Sequence, residues 1–164
     1  RPIDYPLNAQ ARFSQNLLEQ GSHPTSEKLL SVVRPASSHV AEAFAISEGD
    51  NVIHLRTLRR VNGVALCLID HYFTDLQLWP VLQTFTHGSL HDLLRDRLDI
   101  ELTRVRTKIS ARRAQAKESN ILGIPNMAPL LCVRTLNHRQ GEQIATEYSV
   151  SLTRADMIEF TMEH

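Results

Sequence analysis

The chain has 164 residues, with 18 acidic and 18 basic side chains, so its formal net charge is zero. This length fits one domain with a sizeable core. Zero net charge argues against a chain whose main role is non-specific nucleic-acid binding, which needs a basic face, but it leaves room for a local basic pocket.

The two cysteines, Cys67 and Cys132, each lie inside an apolar strand-like run. This placement indicates small buried side chains in a reducing compartment rather than a disulfide or a metal site. No apolar run approaches the roughly 18 residues that a membrane-spanning helix needs, and no signal peptide is recognisable, so we expect a cytoplasmic protein without a membrane partner. The abrupt start at RPIDYPL leads us to expect a further domain upstream.

The first predicted element in chain order is a helix over Asn8–Gln20, with Gly21 at the position where helix C-termini favour glycine. Glu27–Arg34 has a strand-like pattern that ends before Pro35. A short helix then begins at a serine cap, with apolar residues on its inner face, and ends in the turn cluster SEGDN.

Val52–Phe73 is the clearest signal in the chain, because two apolar runs meet at Asn62-Gly63. Asn-Gly tolerates positive φ at both central turn positions and is typical of a tight β-hairpin. The segment after it, Asp75–Thr86, has no strong pattern and is predicted to be irregular or a short helix.

Ser89–Leu98 is predicted to be a helix that begins at Ser89 and carries an apolar stripe. The stripe consists of Leu90, Leu93, Leu94 and Leu98. The backbone N–H groups at the start of this helix, those of Leu90 and His91, form a suitable anion site. Ser89 is equally explained as an ordinary helix cap.

The hairpin pattern occurs twice, 78 residues apart: Arg56-Thr57-Leu58 followed by Gly63 returns as Arg134-Thr135-Leu136 followed by Gly141. This offset pairs Ile69 with Glu147. The second copy contains a strand over Leu102–Ser110 and a helix over Arg112–Leu122, and a last strand is predicted within Asp156–Met162. We therefore predict a single α/β (α+β) domain over residues 1–164, with a central antiparallel sheet of about six strands, flanking helices and an internal pseudo-repeat.

Polar and apolar residues alternate sharply near the end of the chain. Glu147, Ser149, Ser151 and Thr153 share one strand face, while Tyr148, Val150 and Leu152 share the other. Thr57 and Arg59 likewise share a face in the hairpin. The polar face is either solvated, or it forms a cleft under the Ser89 helix in which Arg59 offers forked donors to a phosphate or phosphonate.

No catalytic or metal motif is recognisable. The eight histidines have no partners at metal-ligand spacing, and the sequences GxSxG, GxxxxGK[ST], GxGxxG and HExxH do not occur. Asp70 and His71 are adjacent in a strand and are expected to point to opposite faces, which argues against a catalytic pair. We predict no catalytic residue, no metal and no cofactor.

Four stretches in this order, LRTLRRVNGVALCLIDHYF, GSLHDLLRDRL, an Ala-rich helix ending LGIP, and GEQIATEYSVSLTRAD, resemble the effector-binding (UTRA) domain of GntR-family repressors of the HutC subfamily. Within that subfamily, the chain is most similar to repressors of phosphonate utilisation. The resemblance implies a chorismate-lyase-like fold and a homodimer. It also implies an N-terminal winged helix-turn-helix that binds operator DNA and lies outside this sequence.

The resemblance also implies effector-binding residues. An Arg-x-Arg pair of the family falls on Thr57 and Arg59, a helix-start serine on Ser89, and the glutamate of a Glu-Tyr-Ser run on Glu147. A family aromatic falls on Thr153, and a second glutamate falls on Ile69. Together with the residues derived from the pattern, the expected effector site consists of Thr57, Arg59, Ser89, Leu90, Glu147, Ser149 and Thr153.

The expected function is therefore that of a ligand-sensing, dimerising domain of a repressor that binds a phosphonate or a related phosphorylated metabolite. A small enzyme on the same fold is the alternative, with Glu147 as its acid or base. A purely structural dimerisation module is a third interpretation.

Overall fold

The computed structural model describes residues 2–8 and 23–164, and within these residues the chain forms eight strands, four α-helices and one 3₁₀ turn. The strands are β1 (Ile3–Pro6), β2 (Pro24–Pro35), β3 (Asn51–Val61), β4 (Val64–Phe73), β5 (Leu102–Arg113), β6 (Pro129–Arg139), β7 (Ala145–Arg154) and β8 (Ile158–Thr161). The helices are α1 (Ser38–Phe44), α2 (Trp79–Leu82), α3 (Leu90–Leu98) and α4 (Ala116–Leu122), and the 3₁₀ turn is Leu76–Leu78.

Strands β2 to β7 form an antiparallel sheet in the order β2-β3-β4-β7-β6-β5, and β1 pairs with β8 in a small parallel sheet. The predicted α+β fold with a central antiparallel sheet of six strands is confirmed. The predicted Asp156–Met162 strand corresponds to β8, whereas its partner β1 was not predicted. Apart from Asn8, the helix predicted over Asn8–Gln20 lies outside the described residues.

The Asn62-Gly63 turn joins β3 and β4 as predicted. Both residues have positive φ, 51° for Asn62 and 80° for Gly63, which suits a two-residue turn whose twist matches that of the flanking strands. The ladder then continues from Val61–Val64 to Ile53–Phe73, with one irregularity next to Arg59. The turn therefore fixes which residues of the hairpin share a face.

The internal repeat has an offset of 78 residues in three pairs of elements: β2 with β5, α1 with α4, and β3 with β6. The offset changes after the turn, because 140–144 separate β6 from β7 whereas only Asn62 and Gly63 separate β3 from β4. Arg59 pairs with Cys67, and the repeat counterpart of Arg59, Asn137, pairs with Glu147. The predicted equivalence of Ile69 and Glu147 is therefore wrong, and Cys67 occupies the position that corresponds to Glu147.

The two faces of the antiparallel sheet are covered differently. On one face, α1 and α4 pack against apolar residues with even numbers, including Leu58, Leu68, Tyr148 and Leu152. On the other face, α2 and α3 cover Ile53, Leu55 and Phe73 at one end of the sheet. At the other end of this second face, Tyr5 of β1 and Ile158 of β8 pack against Cys67 and Ile69.

The helix predicted over Arg112–Leu122 begins later than expected. Arg112 and Arg113 still belong to β5, where they pair with Leu130 and Pro129, and α4 begins after Gln115. Gln115 and Glu118 form a reciprocal capping box, which sets the start of the helix. The Ser89 helix was predicted correctly, except that Leu98 is exposed and lies outside the apolar stripe.

None of the helices in the described part of the chain is long and apolar enough to cross a membrane.

The repeat provides a matched stability test at the two helix C-termini. Ala45 after α1 and Gly123 after α4 both have left-handed backbone, with φ of 56° and 66°. An L side chain costs about 1 kcal/mol in this region, and a Cβ at Gly123 would meet no atom within 4 Å. We expect Ala45→Gly to raise, and Gly123→Ala to lower, the free energy of unfolding measured in urea by about 1 kcal/mol.

Ala43→Gly, inside α1, is the control and should destabilise the protein by about 1 kcal/mol. Equal destabilisation by Ala45→Gly and Ala43→Gly would contradict the left-handed cap.

Candidate functional site

A cavity of about 630 Å³ lies on the second face of the sheet, between the strands, α3 and the small β1–β8 sheet. Six of the seven predicted site residues line it: Arg59, Ser89, Leu90, Glu147, Ser149 and Thr153. Thr57 does not contribute to the wall; it lies behind His71, with its Oγ1 3.1 Å from His71 Nε2. The structure thus brings six of the seven predicted residues to one cavity, while their role in binding stays a prediction.

Strand alternation explains this arrangement. Glu147, Ser149, Ser151 and Thr153 of β7 all line the cavity, whereas Tyr148 and Leu152 are buried against the helices on the opposite face. The polar face of β7 is therefore roofed rather than left as an open sheet surface. Of the two interpretations of the alternation, the structure supports the polar cleft.

The carboxylate of Glu147 is the centre of the polar network in the cavity wall. Glu147 is buried, and its side chain is only 1% exposed. Its Oε2 accepts a hydrogen bond from Nδ1 of His71 at 2.8 Å, and its Oε1 accepts from Nε2 of His91 at 2.8 Å and from Nδ2 of Asn137 at 2.6 Å. These donors come from β4, α3 and β6, so one carboxylate joins three elements of the fold.

The network keeps Glu147 ionised. Burial by itself raises the pKa of the Glu147 carboxyl, but the charge of His91 and the hydrogen bonds from His71 and His91 outweigh burial and hold the pKa well below its usual range. An ionised carboxylate only accepts hydrogen bonds, so His71, His91 and Asn137 must all present N–H groups to it.

Two hydrogen bonds link Thr57 to His71 and His71 to Glu147. This is the arrangement of a nucleophile, a base and an orienting acid in a catalytic triad. The threonine, however, is 1% exposed and lies behind the histidine, away from the cavity, so its hydroxyl has no access to a bound molecule. Thr57 therefore orients His71. Glu147 is also poorly suited to proton transfer, because its two oxygens already accept three hydrogen bonds.

The end of the cavity around Arg59 combines a cation with small polar groups. Arg59 pairs with Cys67, Cys67 pairs with Thr153, and the hydroxyls of Ser151 and Thr153 lie 2.9 Å apart. Burial raises the pKa of the Cys67 thiol, although the charge of Arg59 and hydrogen bonds with the two hydroxyls oppose the rise. Cys67 is therefore a neutral part of the wall.

The start of α3 lies close to this end. Ser26 of β2 pairs with Arg59, and the Ser26 carbonyl accepts a hydrogen bond from the N–H of Gly88. The next residue, Ser89, caps α3, because its hydroxyl accepts the N–H of Asp92 at 3.1 Å. The cation and the helix start therefore share one region, as the anion-site hypothesis requires.

The opposite face contains a separate ion cluster. Asp70 accepts hydrogen bonds from His54 at 2.6 Å and from Arg56 at 2.8 Å, while the adjacent His71 binds Glu147 in the cavity. The prediction that Asp70 and His71 point to opposite faces is confirmed. Among residues 2–8 and 23–164, no group of three or more His, Cys, Asp or Glu side chains is arranged to hold a metal ion.

Sequence reasoning missed three residues of the network: His71, His91 and Asn137. His71 lies on the same strand face as Ile69 and Phe73, and the pairing of β4 with β7 places it opposite Ser149. The correct strand register therefore identifies His71 as a residue of the cavity side. His91 has no such signal, because its contact with Glu147 depends on where α3 crosses the sheet.

The family model of the UTRA domain matches residues 19–159. The chain is 79% identical over 164 residues to the "Probable transcriptional regulator PhnF" of Escherichia coli K12, covering all of this chain and 68% of that protein. It is 26% identical to the "HTH-type transcriptional regulator GgaR" of Escherichia coli K12, covering 98% of this chain and 63% of the relative. The chain thus spans about two thirds of the length of these curated relatives.

Two solved structures are similar to the chain. A structure titled "Crystal structure of PhnF C-terminal domain" has a TM-score of 0.82 and 78% sequence identity, covering 96% of this chain and 99% of that chain. The PhnF structure from Mycobacterium smegmatis has a TM-score of 0.86 at 23% identity, covering 99% of this chain and 72% of that chain. The second likeness concerns the fold alone.

The Glu147 network predicts a defined pH dependence of stability. Because the folded pKa is lowered, the stabilisation by Glu147 is fully present above the unfolded pKa of about 4.3 and is lost as the pH falls below it toward the folded pKa. We expect Glu147→Gln to lower the free energy of unfolding by about 3 kcal/mol at pH 7, because it breaks a buried charged network.

Urea denaturation of both proteins between pH 3 and 7 measures the effect. The difference between them should narrow below pH 4, and Glu163→Gln, which changes an exposed carboxylate, should follow the wild type at every pH. A difference that stays constant down to pH 3 would show that Glu147 is not the group responsible.

Proposed function

The chain belongs to the UTRA domain family, and from this premise we propose that it is the ligand-sensing domain of a dimeric transcriptional repressor whose effector is a small anion, a phosphonate or a related phosphorylated metabolite. The family match and the 79% identical relative support a transcriptional regulator rather than an enzyme. The observation that carries the proposal is the shared cavity, which brings Arg59 and the start of α3 together with the polar face of β7.

The chemistry at the Arg59 end supports an anionic ligand. The guanidinium offers N–H groups in a planar fork that matches the oxygens of a phosphate or phosphonate. Backbone N–H groups at the first turn of α3 add the positive end of a helix dipole, and the hydroxyls of Ser151 and Thr153 are neutral donors in the same region. At 630 Å³ the cavity has the volume typical of small-molecule sites.

The proposed response to ligand is a population shift. The effector binds one arrangement of the dimer more tightly than another and thereby changes the spacing of two DNA-binding domains. Operator half-sites require a fixed spacing, so a modest rotation of the sensing domains weakens or strengthens operator binding. In this proposal the DNA-binding domains lie outside this chain, which spans about two thirds of the length of its curated relatives, and the protein acts in the cytoplasm.

Substitution of Arg59 tests the anion site. Arg59→Met removes the charge but retains most of the side-chain volume, and we expect it to weaken the binding of phosphonates by about tenfold or more, since hydrogen bonds to charged groups contribute about 1.5–3 kcal/mol. Isothermal titration calorimetry with phosphate, methylphosphonate, 2-aminoethylphosphonate and glycerol 3-phosphate provides the affinities.

Arg60→Met is the matched control. Arg60 is the next residue, forms an ion pair with Glu27 and does not line the cavity. If Arg59→Met binds every member of this series as tightly as the wild type, the anion site is not at Arg59. Phosphorus NMR of the incubated ligands should show no turnover, because a sensor leaves its ligand unchanged.

A ligand identified in this way should alter DNA binding by the longer protein. We expect it to change the operator affinity of the dimer at least about fivefold, the lower end of typical allosteric coupling, and we expect Arg59→Met to abolish the change. Fluorescence anisotropy of labelled operator DNA measures both. An operator affinity that is indifferent to every ligand bound by the cavity would favour a purely structural dimerisation module.

A further inference from the structure

A second polar position lies at the far end of the cavity from Arg59, on β5 and β6. Asn137 is 2% exposed, lines the cavity and donates its Nδ2 hydrogen to Glu147. Because the carboxylate only accepts hydrogen bonds, the orientation of the Asn137 amide is fixed, with its NH₂ group toward Glu147. The other atom of the amide, Oδ1, is a buried acceptor without a hydrogen-bond partner among the described residues.

Arg104 lies directly beside Asn137, since the two are paired across β5 and β6. Its guanidinium is held in place by Tyr5: Nη2 donates to the Tyr5 hydroxyl at 2.8 Å, and the guanidinium carbon lies 5.6 Å from the centre of the ring. The Nε of Arg104 is buried and, within residues 2–8 and 23–164, has no hydrogen-bond partner. Arg104 also lines the cavity.

One rung of the sheet therefore carries a buried acceptor and a buried charged donor on two residues that line the same cavity. Buried polar groups are almost always hydrogen-bonded, and each exception calls for an explanation. Here the two exceptions are an acceptor, Asn137 Oδ1, and a donor, Arg104 Nε, on paired residues of the cavity wall. A single ligand group that hydrogen-bonds to both atoms explains them together.

The chemistry of the pair selects that ligand group. A carboxylate or a fully ionised phosphate accepts from Arg104 but has nothing to donate to Asn137, and either would face the ionised Glu147. An ammonium group donates to Asn137 but cannot accept from Arg104, whose charge repels it. A hydroxyl both donates and accepts, so it satisfies the two atoms at once.

We propose that Arg104 and Asn137 form a second subsite that binds a hydroxyl group of the ligand, so that the effector is a hydroxylated compound such as a sugar or polyol with an anionic group at the Arg59 end. The proposal deepens the proposed function and rests on it for the use of the cavity as a ligand site. The repeat gives the two subsites corresponding places, because Asn137 has the position on β6 that Arg59 has on β3.

A pair of probes of equal chain length tests the subsite. Ribitol 5-phosphate and pentyl phosphate share the anionic group and the five-carbon chain and differ in their hydroxyls. We expect the wild type to bind ribitol 5-phosphate at least about tenfold more tightly, because a site built to hydrogen-bond a hydroxyl discriminates against an analogue that lacks it. Calorimetry gives the ratio of the two affinities.

Two variants separate the subsite from the anion site. Arg104→Lys keeps the charge but removes the Nε–H, and it should reduce the ratio to about one. Asn137→Ala removes the acceptor and also one donor to Glu147, so the readout is again the ratio, which should fall to about one whatever the affinity for pentyl phosphate. Arg59→Met should weaken both probes and preserve the ratio. Arg106→Lys, an exposed arginine on the same strand, is the control and should change neither affinity.

The Arg104 Nε–H resonance provides a direct readout. A nitrogen–proton NMR signal that disappears in Arg104→Lys should shift on addition of ribitol 5-phosphate and not on addition of pentyl phosphate. Equal affinity of the two probes for the wild type, or a ratio unchanged in both variants, overturns the subsite even if Arg59 binds anions. If neither phosphate binds at about 10 mM, unphosphorylated ribitol is titrated instead. The absence of a shift of the Arg104 Nε–H resonance would then also overturn the proposed subsite.

Discussion

The buried carboxylate of Glu147 is the constraint on which the cavity side of the sheet depends. An ionised group without exposed surface is costly unless it is paired and hydrogen-bonded, and here His71, His91 and Asn137 meet that requirement. These partners lie on β4, α3 and β6, so satisfying one carboxylate fixes the position of α3 over the strands. The cavity exists because this polar contact, and not continuous apolar packing, joins the roof to that part of the sheet.

The same carboxylate breaks the symmetry of a repeated fold. Strand, helix and strand recur 78 residues apart, yet Cys67 stands at the position of Glu147, and Arg59 stands at that of Asn137. One half of the wall therefore presents a cation beside a neutral thiol, and the other half presents an amide beside a buried anion. A pseudo-symmetric scaffold with unlike ends distinguishes the two ends of a ligand, which a symmetric cavity does not.

The parts of the fold that sequence predicted are those set by local chemistry. Asn62-Gly63 fixes the hairpin, Ser89 fixes the start of α3, and the alternation around Tyr148 fixes the two faces of β7. The predictions that failed concern contacts between residues that lie far apart in the sequence. β1 pairs with β8 across more than 150 residues, and the longer turn after β6 shifts the repeat by two residues, which no local pattern reveals. The contact between His91 and Glu147 depends on the path of α3 across the sheet, and tertiary contacts set this path rather than any local pattern in the sequence.

The way in which α3 is held bears on how a sensing domain of this kind would transmit binding. Leu90 and Leu94 pack into the apolar cluster with Ile53 and Phe73, whereas His91 on the neighbouring helical position contacts Glu147. Separating the apolar contacts exposes hydrocarbon to water, while a ligand can replace a polar contact with another of similar strength. A ligand in the cavity would therefore act most readily on the polar side, turning α3 about its apolar side rather than detaching it. Such a rotation would change the surface of the domain without unfolding its core, which is the kind of movement that coupling between a ligand site and a distant dimer contact requires.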